Sequence, residues 1–483
     1  MLKKILTYVI IIGVFVSLIW GIIEKGNKIV RTDKIELVQK ADNTTFPDKA
    51  KPVVINSAES VFRQLINNIK YPLSILLLQV IIILVASKLF GIIMKMVGQQ
   101  TVVGEIIAGI FLGPSVLGWL FPSVSALIFP HESFISLQFL SQIGLTFFMF
   151  VIGMELDLSK IKDKTQDAVI ISHASIIFPF FLGACLSYFV YQYLAPQHVS
   201  FVSFTLFLGI AMSITAFPVL ARILKERGLT RTPLGVLTIT CAAADDVTAW
   251  CLLAAVIAIV KAGSIVSALF TIGLTVAYLL CMFKVIKPWL QKTSEKHVYS
   301  KTIDKTTIAI SFFVLLLSAY FTEIIGIHAL FGAFIAGVIM PDNIRFKEIL
   351  SDKIEDVSTV LLLPIFFAFT GLRTQIGLIN TGYLWLLCGI IILVAIIGKF
   401  GGSALTARIV GRTWQDSLSI GALMNTRGLM ELVVLNIGYD LGVLGPEIFS
   451  IMVLMALSTT FLTGPLLDLI NYAFKTRPIS KSA

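Results

Sequence analysis

The chain has 483 residues, 57% of them hydrophobic and 14% charged, where an ordinary soluble domain carries about 25% charged residues. That deficit, with repeated apolar runs of ~20 residues, excludes a soluble globular protein and defines a polytopic helical membrane protein. Strand-like alternation does not recur, which argues against an outer-membrane barrel, and the net charge of +10 lies where it reports topology rather than nucleic-acid binding.

The first 23 residues, MLKKILTYVIIIGVFVSLIWGII, join a basic flank to an apolar run. They lack a small-residue cleavage pattern after Trp20, which predicts an uncleaved N-terminal signal-anchor helix. Residues 24–72, including KADNTTFPDKAKP, are polar and form an extracytoplasmic segment with no catalytic constellation. Thirteen further spans follow, at roughly 73–96, 102–121, 135–157, 168–194, 200–226, 234–260, 264–290, 303–323, 325–341, 356–376, 382–410, 416–439 and 446–473. Residues 475–483 remain as a tail. Cys185, Cys241, Cys251, Cys281 and Cys388 all fall inside apolar stretches and read as small core residues, with no CxxC and no disulfide framework.

Lys and Arg in the short loops set the orientation. With the N-terminus in the cytoplasm, alternate loops should be basic. Lys160, Lys162 and Lys164 occupy one inside loop; Arg222, Lys225, Arg227 and Arg231 occupy the next, and the later inside loops continue the series to Arg408 and Arg412. Beyond the 24–72 segment only Lys261 and Arg373 fall outside. Both termini are therefore expected in the cytoplasm of a multi-pass protein of the cell (inner) membrane.

Two pairs of segments resemble one another. FMFVIGMELDL (148–158) matches FFAFTGLRTQI (366–376) in placing Gly before a polar break, and GEIIAGIFLGPS (104–115) matches GAFIAGVIMPDN (332–343) in small-residue spacing and late Pro. Taking 73–260 and 303–473 as repeats, with 264–290 as a linking helix, the second repeat enters the membrane from the opposite side. That is the inverted-topology plan of many secondary transporters.

Each repeat has a span with a polar interruption. In GIAMSITAFPVLARIL (209–224), Ser213, Thr215 and Pro218 are expected to break the helix and free a carbonyl near Ile214. In GALMNTRGLMELVVLNIG (421–438), Asn425, Thr426, Arg427 and Gly428 do the same. Unwound backbone at membrane depth must be buried in protein or line a wet cavity, and two such breaks bring freed carbonyls and opposed helix ends to one midplane site.

The stretch TCAAADDVTAWC (240–251) adds two adjacent aspartates, Asp245 and Asp246. One mid-membrane charge costs about 2.5–3.5 kcal/mol on insertion scales. Neighbouring side chains on a helix point ~100° apart, so one carboxylate should face the ion path while the other finds a partner. Lys399 is the expected partner. It lies ~13 Å along the helix from Arg408, a long reach for snorkelling to the interface. Arg427 and Glu431, four residues apart, read as an intrahelical pair or as cavity lining. Arg373, at a span's outer end, is expected to meet headgroups or solvent. His173 and His328 read as packed histidines.

Together these residues closely resemble the monovalent cation/proton antiporter-2 family, over roughly 73–474. The motifs are SITAFPVLARILKERGL (213–229), AAADDVTAW (242–250), LPIFFAFTGLRTQI (363–376) and MNTRGLMELVVLNIG (424–438); the last two look most like the plant cation/proton exchangers. The resemblance implies an all-α inverted-repeat antiporter fold with two crossed discontinuous helices, a 13-helix core plus the anchor, and a homodimer whose core domain moves against a dimerisation domain. It implies that Asp246 alternately holds the monovalent cation and protons, that Asp245 pairs with Lys399, and that Ser213, Thr215 and Asn425 lie at the two crossings. Too few residues follow 474 for the nucleotide-binding domain of glutathione-gated potassium-efflux relatives, so gating of that kind is not expected.

The expected activity is exchange of Na+ or K+ for H+ by alternating access, with competition at Asp246. No enzymatic activity, cofactor or nucleic-acid partner is expected. A gated monovalent cation channel or efflux system is the nearest alternative, since breaks and carboxylates also suit a pore, and a non-transporting sensor on the same scaffold is a further one. An intramembrane aspartyl protease needs two aspartates converging from separate helices, and Asp245 and Asp246 diverge around one.

Overall fold

The structure is a computed structural model that describes residues 68, 71–155, 166–230, 232–262, 265–295, 305–341 and 344–474. The expected anchor over 1–23, nearly all of 24–72 and the tail 475–483 lie outside the described residues, as do Lys160, Lys162, Lys164 and Arg231.

All the regular structure described is helical. In chain order the elements are α1 (Pro72–Met96), α2 (Thr101–Leu112), α3 (Phe134–Glu155), α4 (Gln166–Leu194), α5 (Phe201–Ser213), α6 (Phe217–Glu226), α7 (Pro233–Ala262) and α8 (Ile265–Cys281). They continue with α9 (Lys305–Ile325), α10 (Ala329–Val338), α11 (Ile344–Val357), α12 (Leu363–Arg373), α13 (Gly382–Ile396), α14 (Gly402–Ile409), α15 (Trp414–Met424), α16 (Leu429–Asp440) and α17 (Pro446–Ala473). Short helical turns fill the 117–133 connection. Among the described residues ten helices are long and apolar enough to cross a membrane, or eleven if the bent pair α15–α16 counts as one span. The chain is accordingly a multi-pass membrane protein.

Helix boundaries follow local chemistry. Proline opens α1, α7 and α17, where its missing N–H costs nothing. Ser200, Thr381 and Thr413 cap α5, α13 and α15 by accepting the amides of Ser203, Leu384 and Asp416.

One expectation about spans needs correction, and one about a break holds. The one drawn at 325–341 begins later, at Ala329, because Gly326 (φ 96°) and His328 (φ 88°) turn the chain first; its ten residues rise only ~15 Å. The break expected in 209–224 is there, with the helix ending at Ser213 and Ile214 extended. The unwound backbone covers 214–216, and Pro218, second residue of α6, has no N–H to give the Ile214 carbonyl four residues earlier.

The helices pack as two bundles. One contains α1–α3 and α9–α12; the other contains α4–α7 and α13–α17; α8 links α7 to α9. In the first, α2 packs on α12 and α3 on α10 through glycines. A methyl on Gly109 would overlap the Ala368 carbonyl, and one on Gly371 the Ile106 carbonyl. Likewise a methyl on Gly153 would overlap the Phe334 carbonyl, and one on Gly337 the Phe150 carbonyl. In the second bundle the broken pairs α5–α6 and α15–α16 cross, joined by the Ala216 amide donating to the Thr426 carbonyl at 3.0 Å.

Candidate functional site

The crossing follows from two helices that end inside the protein. The last four carbonyls of any helix lack an intrahelical donor, and those of α5 are buried. Two cations satisfy three of them. Arg427 donates from Nη1 to the Ala211 carbonyl (2.9 Å) and from Nη2 to that of Met212 (2.8 Å). Lys399 Nζ donates to the Ser213 carbonyl (2.5 Å). Positive charge at a helix C-terminus also complements the helix dipole, so the two cations are held by the break itself.

Lys399 arrives through two local irregularities. It sits in a wide π-type turn, Ile397–Gly401, within the α13–α14 span. Gly398 in that turn lets it approach α4 closely, since a methyl there would stand 3.0 Å from the Pro179 Cα. Pro179, inside α4, has no N–H to give the carbonyl four residues earlier. That carbonyl belongs to Ser175, and Lys399 Nζ donates to it at 2.9 Å.

Asp245 completes the cluster. Lys399 Nζ lies 3.1 Å from its Oδ2, and three hydroxyls surround the same carboxylate: Ser172 at 2.6 Å from Oδ1, Ser175 at 2.5 Å and Thr215 at 2.8 Å from Oδ2. Asp245 and Lys399 are both fully buried. A buried charge is tolerable when it is paired and its remaining lone pairs are occupied, and here both conditions hold.

Asp246 is buried differently. Neither of its carboxylate oxygens has a hydrogen-bond partner among the described residues. The Phe217 amide, first in α6, lies near it without meeting hydrogen-bond geometry. Residues i and i+4 share a helix face, so Asp246 looks out alongside Trp250. The Trp250 ring stacks on Phe334 of α10 with centroids 6.0 Å apart. Asp245 therefore faces into its own bundle, and the Asp246 face of α7 is turned toward the other bundle.

The remaining expected residues fall around the same crossing. Thr215 Oγ1 is also 3.3 Å from the Met424 carbonyl at the end of α15. Ser213 donates to the carbonyls of Gly209 and Ile176, so its backbone oxygen, rather than its hydroxyl, meets the cluster. Asn425 caps α15 with its side-chain amide fully buried and unpartnered; α15 packs on α7. Arg427 Nη1 lies 3.2 Å from Glu431 Oε2 in an i,i+4 ion pair, without hydrogen-bond geometry at the carboxylate.

Three residues lie elsewhere. His173 is exposed, with Nδ1 against the Val169 carbonyl, and His328 caps α10. Arg373, expected at headgroups or solvent, is held by protein. It pairs with Asp440 (2.8 Å), donates to Asn436 Oδ1 (3.0 Å) and lies over the rings of Phe369 and Tyr439. Ser172, Ser175 and Pro179 are not singled out by sequence pattern. The SHASIIFP string of α4 carries their only signal, two serines three apart with proline four residues after the second.

Residues 62–470 match the model of the sodium/hydrogen exchanger, transmembrane family. The chain is 44% identical over 395 residues to the Na+/H+ antiporter NhaS4 of Synechocystis, covering 82% of this chain and 96% of that one. It is 39% identical to cation/H+ antiporter 17 of Arabidopsis thaliana and 34% to K+/H+ antiporter 1 of Saccharomyces cerevisiae. Each of those matches covers 83% of this chain, but only 49% and 47% of the relative, so the chain spans about half the length of these two. Among solved structures, the sodium proton antiporter MjNhaP1 of Methanocaldococcus jannaschii superposes with a TM-score of 0.59 at 15% identity, over 83% of this chain and 98% of that one. At that identity the likeness bears on the fold alone.

Proposed function

The chain belongs to the sodium/hydrogen exchanger family, and from that footing we propose that it exchanges Na+ or K+ for H+ by alternating access, the cation and protons competing for Asp246. Relatives named as Na+/H+ and K+/H+ antiporters support cation/proton exchange in general. The observation that carries the finer reading is the contrast between two adjacent carboxylates. Asp245 has every need met by Lys399 and three hydroxyls, whereas Asp246 is buried with both oxygens unpartnered. An unpaired carboxylate in low dielectric is stabilised either by a proton or by a cation. Either one satisfies the same oxygens, so the two compete.

In this reading Asp246 is the shared site, and Asn425 and the Thr215 region supply neutral oxygens from the two breaks. Asp245 and Lys399 hold the crossing together and keep α5 docked. Arg427, with Glu431, holds the end of α5 open by occupying its terminal carbonyls. An unpartnered carboxylate facing the boundary between bundles suits a site exposed alternately to the two sides as one bundle moves against the other. We further read the protein as a homodimer of the cell membrane with cytoplasmic termini, from the family resemblance and from the loop charges.

The repeats 73–260 and 303–473 belong to the same proposal. Gly109 and Gly337 occupy equivalent places in one pair of matching segments, and Gly153 and Gly371 in the other. Their partners are exchanged: Gly109 packs at Gly371, and Gly337 packs at Gly153. A pseudo-two-fold axis requires that kind of reciprocity.

Competition has a kinetic signature. In proteoliposomes, raising the proton concentration on the cation's side should raise the apparent KM for Na+ or K+ in proportion and leave the maximal rate unchanged. A cation KM indifferent to pH, with only the maximal rate moving, would mean separate sites and would sink the single-carboxylate reading.

A further inference from the structure

The two bundles are tied together at one end of the molecule by a polar cluster that exchange at Asp246 does not use. Asp440 ends α16, one of the crossed half-helices. It takes an ion pair from Arg373 of α12 at 2.8 Å and a hydrogen bond from Gln138 Nε2 of α3 at 3.1 Å. One turn deeper on α16, Asn436 accepts from Arg373 Nη1 at 3.0 Å and donates from Nδ2 to Thr370 Oγ1 of α12 at 2.8 Å. The Gln375 amide, just after α12, donates to Ser450 Oγ of α17 at 2.9 Å. Every one of these bonds runs from the first bundle to the second. The guanidinium is fixed from two further sides, 4.3 Å from the Phe369 ring centroid and 5.2 Å from that of Tyr439. Among the described residues these bonds lie on the face that the loop charges mark as external.

Beneath this cluster lies a narrow cavity between the bundles, lined by Gln138, Ser141, Leu145, Phe366, Val433 and Asn436, among others. From Gln138 to Leu145 the lining descends two turns of α3, ~10 Å of helix. On α16 it descends from Asp440 to Val433, two residues short of Glu431. A second small cavity meets α16 at Leu432 and the break before it at Arg427 and Gly428. Each of these cavities has room for only about one water, and Arg373 and Asp440 of the polar cluster line the first of them.

We propose that Arg373, Asp440, Asn436 and Gln138 form the outer gate of the exchanger, a latch that must open for the crossed helices to face outward. This rests on the alternating-access reading. A half-buried charge pair suits such a gate. Its two members already reach solvent and gain more water when the bundles part, which offsets part of the lost attraction. The latch therefore biases the equilibrium without locking it.

The test reads accessibility, not transport. Ser141, buried in the cavity beneath the latch, is replaced by cysteine in the full chain in right-side-out membrane vesicles. A membrane-impermeant cationic methanethiosulfonate is applied outside, and labelling is quantified on the peptide carrying position 141, apart from the native cysteines. With the latch intact, labelling should be slow; adding Arg373→Ala or Asp440→Asn should speed it about tenfold or more. Gln138→Ala removes one neutral contact and should give a smaller increase. Should the charge variants lose their fold, seen as labelling of the buried Cys388, the Gln138 variant decides the matter. Rates unchanged by these substitutions would overturn the gate. Because no ion flux is read, a failed exchange assay would leave this result standing, and a failed gate would leave the exchange reading intact.

Discussion

At the scale of single residues, the site is an arrangement of unequal neighbours. Asp245 and Lys399 are a buried pair whose members depend on each other. Removing one partner of such a pair costs about 3–5 kcal/mol, chiefly because the other charge is left uncompensated. Lys399→Ala should therefore lower the melting temperature sharply in detergent. The double variant Lys399→Met/Asp245→Leu should recover much of that loss, and strictly additive losses would contradict the pairing. Arg427→Gln tests the helix end instead. Hydrogen bonds from charged donors are worth about 1.5–3 kcal/mol each, and this substitution removes two of them from the Ala211 and Met212 carbonyls. It should destabilise the protein by a few kcal/mol and speed amide exchange at the end of α5 above that elsewhere in α5; uniform exchange along the helix would refute the capping role. The Asp–Lys pairing is legible in the sequence because ionisable residues are rare within spans and each demands a partner. Ser172, Ser175 and Pro179 are not. Serines are common in membrane helices, and only the fold places the carbonyl left free by Pro179 in front of Lys399. Arg373 misleads for a related reason: its position at a span end is what snorkelling predicts, while its partners Asp440 and Asn436 lie more than sixty residues away.

At the scale of helices, glycine decides how closely elements approach. At Gly109 and Gly337 an added methyl would overlap a backbone carbonyl of the facing helix, and backbone cannot step aside as a side chain can. Gly109→Ala and Gly337→Ala should each cost about 1–3 kcal/mol by overpacking. Gly273→Ala and Gly389→Ala, with nothing within 4 Å of the new methyl, should be neutral or slightly stabilising because alanine favours helix. Thermal unfolding of the four variants checks this, and equal effects across them would refute the close-contact argument. The matching Gly spacing of 104–115 and 332–343 is visible as pattern, but which helix each glycine meets is not. The breaks are legible by place, but not by what they meet. Pro218 marks the first break, which opens at Ile214 four residues ahead of it, but the partner that receives the freed backbone, the Thr426 carbonyl accepting from the Ala216 amide, lies in the other break and is not visible in the sequence.

At the scale of the whole molecule, composition and loop charge carry the class: a helical, multi-pass membrane protein. The number of spans is harder to read, because apolar length alone does not distinguish a full crossing from short pieces such as α5 and α10, which are apolar but only 13 and 10 residues long. What unites the scales is one division of labour. Two adjacent carboxylates on α7 face different ways, one closing a bundle and the other turned to the boundary that an alternating-access cycle must open and close. The most direct test is proton flux in proteoliposomes on addition of Na+ or K+, comparing the intact protein with Asp246→Asn. The account predicts cation-dependent proton movement in the former and its loss in the latter, with the fold and the Asp245–Lys399 pair preserved. Undiminished exchange by a well-folded Asp246→Asn protein, or cation flux with no coupled proton movement in the intact one, would contradict it.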